Sequence, residues 1–274
     1  MKMICGTSAA RLKPSCSKSE RMSPARGQML RGGRYICALA ACLAGSTAAA
    51  QTPPAQAGPP AAFQVPPSRF VVVLDAAHGG DDRGGRLNGQ EEKAFTLSLS
   101  VRLRSLLAAR GIQVLTTRES DATVDLNRRA EMANHANAQA CLSLHGSESG
   151  SGVHLFVSNV TPVQPARFAP WKTAQAAWVT RSLALAGTLN SALLHAGMTV
   201  TLGRTALPAV DSMTCPAVAV EIAPERDANK KLIAGLDDPG YQARVAETLA
   251  AALLEWRTDA SRTDALRTGE AHEP

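Results

Sequence analysis

A run of apolar β-formers, Phe70-Val71-Val72-Val73-Leu74-Asp75-Ala76-Ala77, stops abruptly at His78-Gly79-Gly80. Such a run bounded by turn residues reads as a buried strand that delivers a polar side chain to a loop. Two later stretches have the same form, Ala140-Cys141-Leu142-Ser143-Leu144-His145-Gly146 and Ala217-Val218-Ala219-Val220-Glu221-Ile222. Each carries one polar, chemically competent group at or near its C-terminal end. In sheets of parallel strands, ligands gather in the crevice beyond the carboxyl ends, so His78, His145 and Glu221 are expected to converge on one site.

Apolar runs and helical stretches alternate from about Arg69 to Arg257, the pattern of βαβ units in one α/β domain. The segment from Glu92 to Arg110 alternates with period two over Leu97 to Arg104. It is nevertheless read as a helix, because it is too long for a strand and places Leu99, Leu103, Leu106 and Leu107 on one face before Gly111. A strand is expected at Ile112 to Thr117, a helix from about Asp125 to Asn137, and strands at Ala140 to Leu144 and Val153 to Val157 around a Gly/Ser turn. Trp171 to Ala196 reads as one long or broken helix, with Gly187 the suspected break. Val218 to Ile222 is a buried strand and Tyr241 to Trp256 a closing amphipathic helix. The expected fold is α/β, a single domain with a mostly parallel or mixed central sheet of about six strands flanked by helices.

The chain has a formal net charge of +6 and a sequence pI near 9.2, which would suit a polyanionic partner. The excess is local, however. Residues 1–50 hold eight Lys/Arg against Glu20 alone, and from Gln51 onward 21 basic residues face 22 acidic ones. Nucleic acid is therefore excluded as an expected partner. The basic start, the short apolar run Tyr35 to Gly45 and Ala48-Ala49-Ala50 read as a secretory signal peptide over residues 1–50, too short in its apolar part for a membrane span. Export to the periplasm or medium is expected, with lipoprotein anchoring at Cys42 the weaker alternative. The true start codon is left open, since Met22 or Met29 would give a more usual length. Residues 51–68, rich in Pro and Ala, read as a linker, and 258–274 as a disordered tail. Only Cys141 and Cys215 remain in the exported body. They permit one disulfide, although two unpaired buried cysteines are the favoured expectation.

Between His78 and Glu92 lies a loop with five glycines, 79–90, which lets the backbone turn tightly enough to return Glu92 beside His78. His78, Glu92 and His145 together supply the His₂Glu donor set that catalytic zinc sites use with one position left for water. The reading from the residues is a mononuclear zinc hydrolase, against strand-end histidines that only satisfy loop backbone groups. Asp75 is a candidate to orient His78. Arg118 and Arg129 are candidates for substrate carboxylates, with ion-paired arginines as the commoner outcome. His154 reads as a core or edge histidine, and His135 and His195 are assigned no role.

In this order and spacing, Leu74 to Gly80, Glu92-Lys93, Leu115-Thr116-Thr117-Arg118, Leu126 with Arg129, Ala133-Asn134, Ser143-Leu144-His145, and Val220-Glu221 followed by Asn229 resemble the zinc-dependent N-acetylmuramoyl-L-alanine amidases. The resemblance runs from about Phe70 to Leu254. It implies a zinc-exopeptidase-like (phosphorylase/hydrolase-like) fold, one Zn²⁺ held by His78, Glu92 and His145, and Glu221 as the catalytic glutamate. It further implies peptidoglycan as substrate, cut between N-acetylmuramic acid and L-alanine. The expected protein is a monomer without a membrane span. A degenerate wall-binding member and a zinc peptidase of related fold are the rivals.

Four departures from the family pattern stand out. Ala76-Ala77 replaces Pro-Gly, and the loop to Glu92 is one residue short, which leaves Glu91 as an alternative ligand. Gly146-Ser147 replaces Ala-Asn, and Ile222-Ala223-Pro224 follows Glu221 in place of Gly-Phe. Family members that await a protein activator carry a helix over the site. The corresponding segment here, Asn159 to Lys172, contains Pro162, Pro165 and Pro170 and reads as a loop, implying an open site.

Overall fold

The computed structural model describes residues 69–164 and 170–268. The expected signal peptide, linker and four of the cysteines lie outside the described residues. Along the chain come β1 (Val71–Ala76), the ribbon β2 (Arg86–Leu87) and β3 (Gln90–Glu91), α1 (Glu92–Ala108), β4 (Gln113–Thr116), α2 (Leu126–His135), β5 (Ala140–Gly146) and β6 (Val153–Ser158). A 3₁₀ turn (Trp171–Ala177) leads into α3 (Val179–His195), and then follow β7 (Val200–Thr205), α4 (Pro208–Asp211), β8 (Ala217–Ile222), the ribbon β9 (Glu225–Arg226) with β10 (Leu232–Ala234), and α5 (Pro239–Thr268).

Six strands form one sheet in the order β4-β1-β5-β8-β6-β7. β4, β1, β5 and β8 are mutually parallel, β6 runs antiparallel to β8, and β7 is parallel to β6. The sheet is therefore mixed, as the sequence reading allowed. Its two faces differ. Val72, Leu74, Leu142, Leu144, Val218, Val220 and Ile222 pack with α1, α3 and α5 into the main core. On the opposite face, Val73, Cys141 and Ala217 meet α2 and α4 in a smaller cluster with Ala130, Ala133, Val210 and Met213. Because side chains alternate along a strand, Asp75, Ser143, His145 and Glu221 share that second, thinly covered face.

Four expectations need correction. The cysteines are paired: Cys141 and Cys215 form a disulfide with 6.4 Å between their Cα atoms, the strand register bringing Ala217 opposite Cys141. The long helix is interrupted at Trp178, which joins the 3₁₀ turn to α3, and kinks at Thr173 (φ −131°, ψ 24°), not at Gly187, which sits in open space inside α3. α5 runs beyond Trp256 through 258–268, a stretch expected to lack structure, with no glycine or proline between Gly240 and Gly269 to stop it. β7 was not anticipated: Val200-Thr201-Leu202-Gly203-Arg204-Thr205 is an edge strand with most side chains exposed, so it shows no apolar run. The segment 159–164 forms no helix, and 165–169 lie outside the described residues.

The disulfide lies near the N-terminal end of β5, at the far end of the strand from His145. Closing a loop with a sequence separation of 74 residues removes about 4 kcal/mol of unfolded-chain entropy, of which roughly 2–4 is usually realised. Cys141→Ala/Cys215→Ala should lower Tm by about 5–15 °C in a thermal melt. The same variant should keep its metal content, because the ligands lie at the opposite ends of β1 and β5 and at the start of α1.

Candidate metal centre

His78, Glu92 and His145 each place one ligand atom within 4.8 Å of the others. His78 leaves β1 with a φ of 62°, a conformation that costs a non-glycine residue about 1–2 kcal/mol and that its surroundings hold in place. Gly79 and Asp82 exchange backbone hydrogen bonds that close the turn. Glu92 begins α1, and His145 ends β5 one residue before Gly146. His78 Nε2 lies 3.1 Å from Glu92 Oε2 and His145 Nδ1 lies 3.2 Å from Glu92 Oε1. The two imidazole rings stand nearly perpendicular at 87°, with centroids 5.5 Å apart. Four-coordinate zinc with bonds of ~2.0–2.1 Å would space its ligand atoms about 3.3 Å apart; the two short contacts run to different Glu92 oxygens, so the His₂Glu donor types suit such an ion once the cluster, now within 4.8 Å, closes slightly on it.

The nitrogens that face away from the cluster are also engaged. Asp82 Oδ2 lies 2.9 Å from His78 Nδ1, and Ser143 Oγ lies 3.4 Å from His145 Nε2. A partner on the outer nitrogen fixes the tautomer and turns the inner nitrogen toward a metal. The expectation for Asp75 is therefore corrected: Asp82, four residues past His78, orients it. Asp75 is buried and accepts hydrogen bonds from Thr117 Oγ1 (2.8 Å), Ser143 Oγ (2.8 Å) and Arg129 Nη1 (2.6 Å). Through Ser143 it braces His145 instead.

Glu92 is held by more than the histidines. The amides of Gly85 and Gly146 donate to its two oxygens at 2.8 and 3.1 Å. Burial pushes its carboxyl up, but hydrogen bonding from His145, His78 and the two amides more than offsets this and holds it well below the usual carboxylate range. Hydrogen bonding to Glu92 raises the His78 pKa; burial opposes this and Asp82 adds to it, and the net direction is upward. Glu91, the alternative ligand, points elsewhere, to Arg83 and Lys93. The substitution of Gly146 for the family's alanine has a local cause: a Cβ there would lie 2.6 Å from Leu87 Cδ1 and 2.9 Å from Phe95.

Arg118 and Arg129 do not face solvent. Arg129 donates to the carbonyls of Ala76 (2.7 Å), His78 (2.8 Å) and Val124 (2.9 Å) besides Asp75. Arg118 donates to the carbonyls of Ala76 (2.9 Å), Ala77 (3.0 Å) and Lys93 (2.7 Å). Both arginines clamp the backbone that carries His78. The sequence signal for this was only their position after an apolar strand and on a short helix, which does not separate a clamp from a substrate contact.

Glu221 is the register partner of His145 on one side and of His154 on the other, so all three sit in a row on the thinly covered face. No ion pair joins Glu221 to Arg226 or Lys230; the Arg226 guanidinium turns instead to the carbonyl of Lys230. His154 is half-buried and bonds Thr201 across the edge pair, as an edge histidine. A cavity of about 310 Å³ opens beside the ligands, walled by His78, Asp82 and His145 on one side and by Thr123 to Leu126 and Ala209 on the other.

Comparison with known proteins bears on the family and the fold. The family profile Amidase_3, described as N-acetylmuramoyl-L-alanine amidase, matches residues 72–255. A sporulation-specific N-acetylmuramoyl-L-alanine amidase of Bacillus subtilis is 37% identical over 89 residues, 31% of this chain and 35% of that protein. The amidase AmiA of Escherichia coli is 42% identical over 77 residues, 27% of this chain and 26% of its own. The matched stretches thus span about a third or less of these relatives' length. Among solved structures, the catalytic domain of CwlV, an N-acetylmuramoyl-L-alanine amidase from Paenibacillus polymyxa, superposes with a TM-score of 0.54 at 24% identity, covering 69% of this chain and 98% of that one. The apo amidase Ami1 of Mycobacterium abscessus gives 0.55 at 22% identity over 68% and 98%. At such identities the structures attest the fold, while the profile covers more than half of the chain. On that ground, the chain belongs to the Amidase_3 family of N-acetylmuramoyl-L-alanine amidases.

Proposed function

We propose that this protein is a zinc-dependent hydrolase that cuts the amide between N-acetylmuramic acid and L-alanine of the peptidoglycan stem. The observation that carries the reading is the His78–Glu92–His145 cluster with Glu221 in register beside His145. A zinc ion held by the three residues would polarise the scissile carbonyl and activate a water molecule. Glu221, partly exposed and in no ion pair among the described residues, takes the water's proton on its carboxylate and passes it to the departing amine. Asp82 and Ser143 hold the imidazoles in the ligating tautomers. Arg129 and Arg118 fix the strand end from which His78 is hung.

Export to the wall compartment is part of the proposal and is supported by the Cys141–Cys215 disulfide, which persists in oxidising surroundings. Among the described residues no helix is long and apolar enough to cross a membrane. One neighbour of the same fold, CwlD of Clostridioides difficile, has been solved with the GerS lipoprotein, and whether a protein activator acts here is addressed by assaying the isolated chain.

The test is metal analysis together with dye release from purified peptidoglycan and mass spectrometry of the fragments. One equivalent of zinc and sugar ends free of L-alanine are expected. No release by the metal-loaded protein would leave the wall-binding rival, and L-alanine retained on the sugar would point to the peptidase.

Gly84 provides a sharper check on the ligand geometry. Its φ is +66°, and a Cβ there would lie 2.6 Å from His78 Cδ2 and 2.7 Å from Glu92 Oε2. Gly84→Ala must therefore push on two ligands at once. Chelator competition should show zinc affinity weakened about 10–100-fold, the range typical when ligand support is lost, with Tm lowered by only about 2–8 °C, the cost of alanine at a positive φ.

A further inference from the structure

One cavity opens at the metal ligands and another lies between the loops that follow β5 and β8, and their charges differ. The one between the ligands and α2 is lined by Asp75, which pairs with Arg129, by Asp82 and Asp125, and by the ligands His78 and His145, together with exposed Leu126 and partly buried Ala209. The other, of about 520 Å³, lies between the turn after β5 and the β9–β10 ribbon and is lined by Gly150, Ser151, Arg226, Asp227 and Lys230. Its two loops continue from the strands that carry His145 and Glu221. Ser151 ties them together, its hydroxyl accepting from the Arg226 amide at 3.0 Å.

Asp227 keeps its charge, so this lining carries two cations against one anion. Asp227 Oδ1 accepts from the amides of Asn229 and Lys231, and Glu225 pairs with Arg244. Glu148, exposed on the same turn, does not line the cavity. Among the described residues, no carboxylate pairs with Arg226 or Lys230, and both are left to meet an anion. Arg226 lies five residues past Glu221, at most ~17 Å of extended chain, the length of a short peptide.

The stem peptide carries free carboxylates, whereas the glycan around the scissile bond is uncharged. Resting on the amidase reading, we propose that substrate crosses the metal centre with one polarity: the acidic stem runs over Arg226 and Lys230, and the glycan fills the cavity between α2 and α4. The reverse placement would set carboxylates against Asp82 and Asp125 and leave two cations unmatched. Arg226 and Lys230 are thus specificity-determining residues for stems with free carboxylates.

The test compares a muramoyl-peptide bearing free carboxylates with the same compound as carboxamides, using the full metal-loaded chain. Arg226→Glu/Lys230→Glu should raise KM about tenfold on the acidic substrate, as two partly exposed contacts made repulsive would, with kcat within about twofold. On the amidated substrate KM should hardly move. Arg226→Gln/Lys230→Gln, which keeps side-chain volume, should show a smaller rise of the same pattern. Equal changes on both substrates, or none, would overturn the assignment. If wild type cleaves neither compound, the amidase reading itself fails. Calorimetry of the free acidic stem peptide then decides the subsite alone: weaker binding to the charge-reversed variant supports it, and equal binding sinks it.

Discussion

Glu221→Ala is expected to keep its zinc and its melting temperature while releasing peptidoglycan fragments roughly 10²–10⁴-fold more slowly than wild type, the span that a positioned general base contributes. The reasoning is geometric. Glu221 is no member of the three-atom ligand cluster, and no ion pair joins it to Arg226 or Lys230, so truncating it leaves ligands and fold untouched. Its register places it beside His145 on the open face, where a substrate carbonyl held at the metal would come within its reach. Glu221→Gln should be equally slow, because an amide of the same size accepts no proton. Metal content measured on the same samples separates this outcome from simple loss of the ion. Activity within tenfold of wild type would remove Glu221 from the reaction.

Arg129→Met should be the most destabilising single substitution tested, by about 3–5 kcal/mol, because it leaves Asp75 charged, buried and without its cation. Arg129 and Asp75 are each almost fully buried, at 4% and 2% exposure, and Arg129 also serves three backbone carbonyls. In a domain of this size the loss corresponds to a fall in Tm of roughly 6–20 °C. Adding Asp75→Asn should recover part of it, since the orphaned charge is then gone. Arg129→Lys should fall between the two: it retains a charge but cannot span Asp75 and three carbonyls with one ammonium. A melt unchanged in Arg129→Met would show that the clamp on the His78 backbone carries no weight.

The parts of the fold that could be read from sequence were those where burial leaves a pattern. β1, β5 and β8 are apolar because helices cover both faces of the sheet, and their C-terminal polar residues then stand out against the run. The same contrast singled out His78 and His145 before any geometry was known, whereas Glu92 was reached only through the glycine loop before it and the family resemblance. β7 left no pattern, since an edge strand has no second neighbour to bury it. The roles of Arg118, Arg129 and Asp82 were hidden for another reason. Apart from the Asp75 carboxylate that Arg129 meets, their partners are mostly backbone carbonyls or a ring nitrogen, and those depend on how loops pack, which residue types alone do not encode. The helix break at Trp178 was misplaced at Gly187 because a helix tolerates glycine at a cost of about 1 kcal/mol when neighbours supply the packing. The cysteines could not be paired from sequence, since their 6.4 Å separation is created by the β5–β8 register.

The reversal of β6 against β8 separates what must stay fixed from what is free to vary. The connection from β5 to β6 passes over the end of β8, tied by Ser147 to the Ile222 carbonyl and by Gly152 to that of Pro224. It borders the centre without contributing to the core. Doubling the length of such a loop costs only about 0.6 kcal/mol of closure entropy. Insertions between Ser147 and Gly152 could therefore remodel the rim, and with it the range of wall fragments admitted, while the parallel strands keep the metal ligands in place. In evolutionary terms, substrate scope and catalytic competence can drift independently in this scaffold.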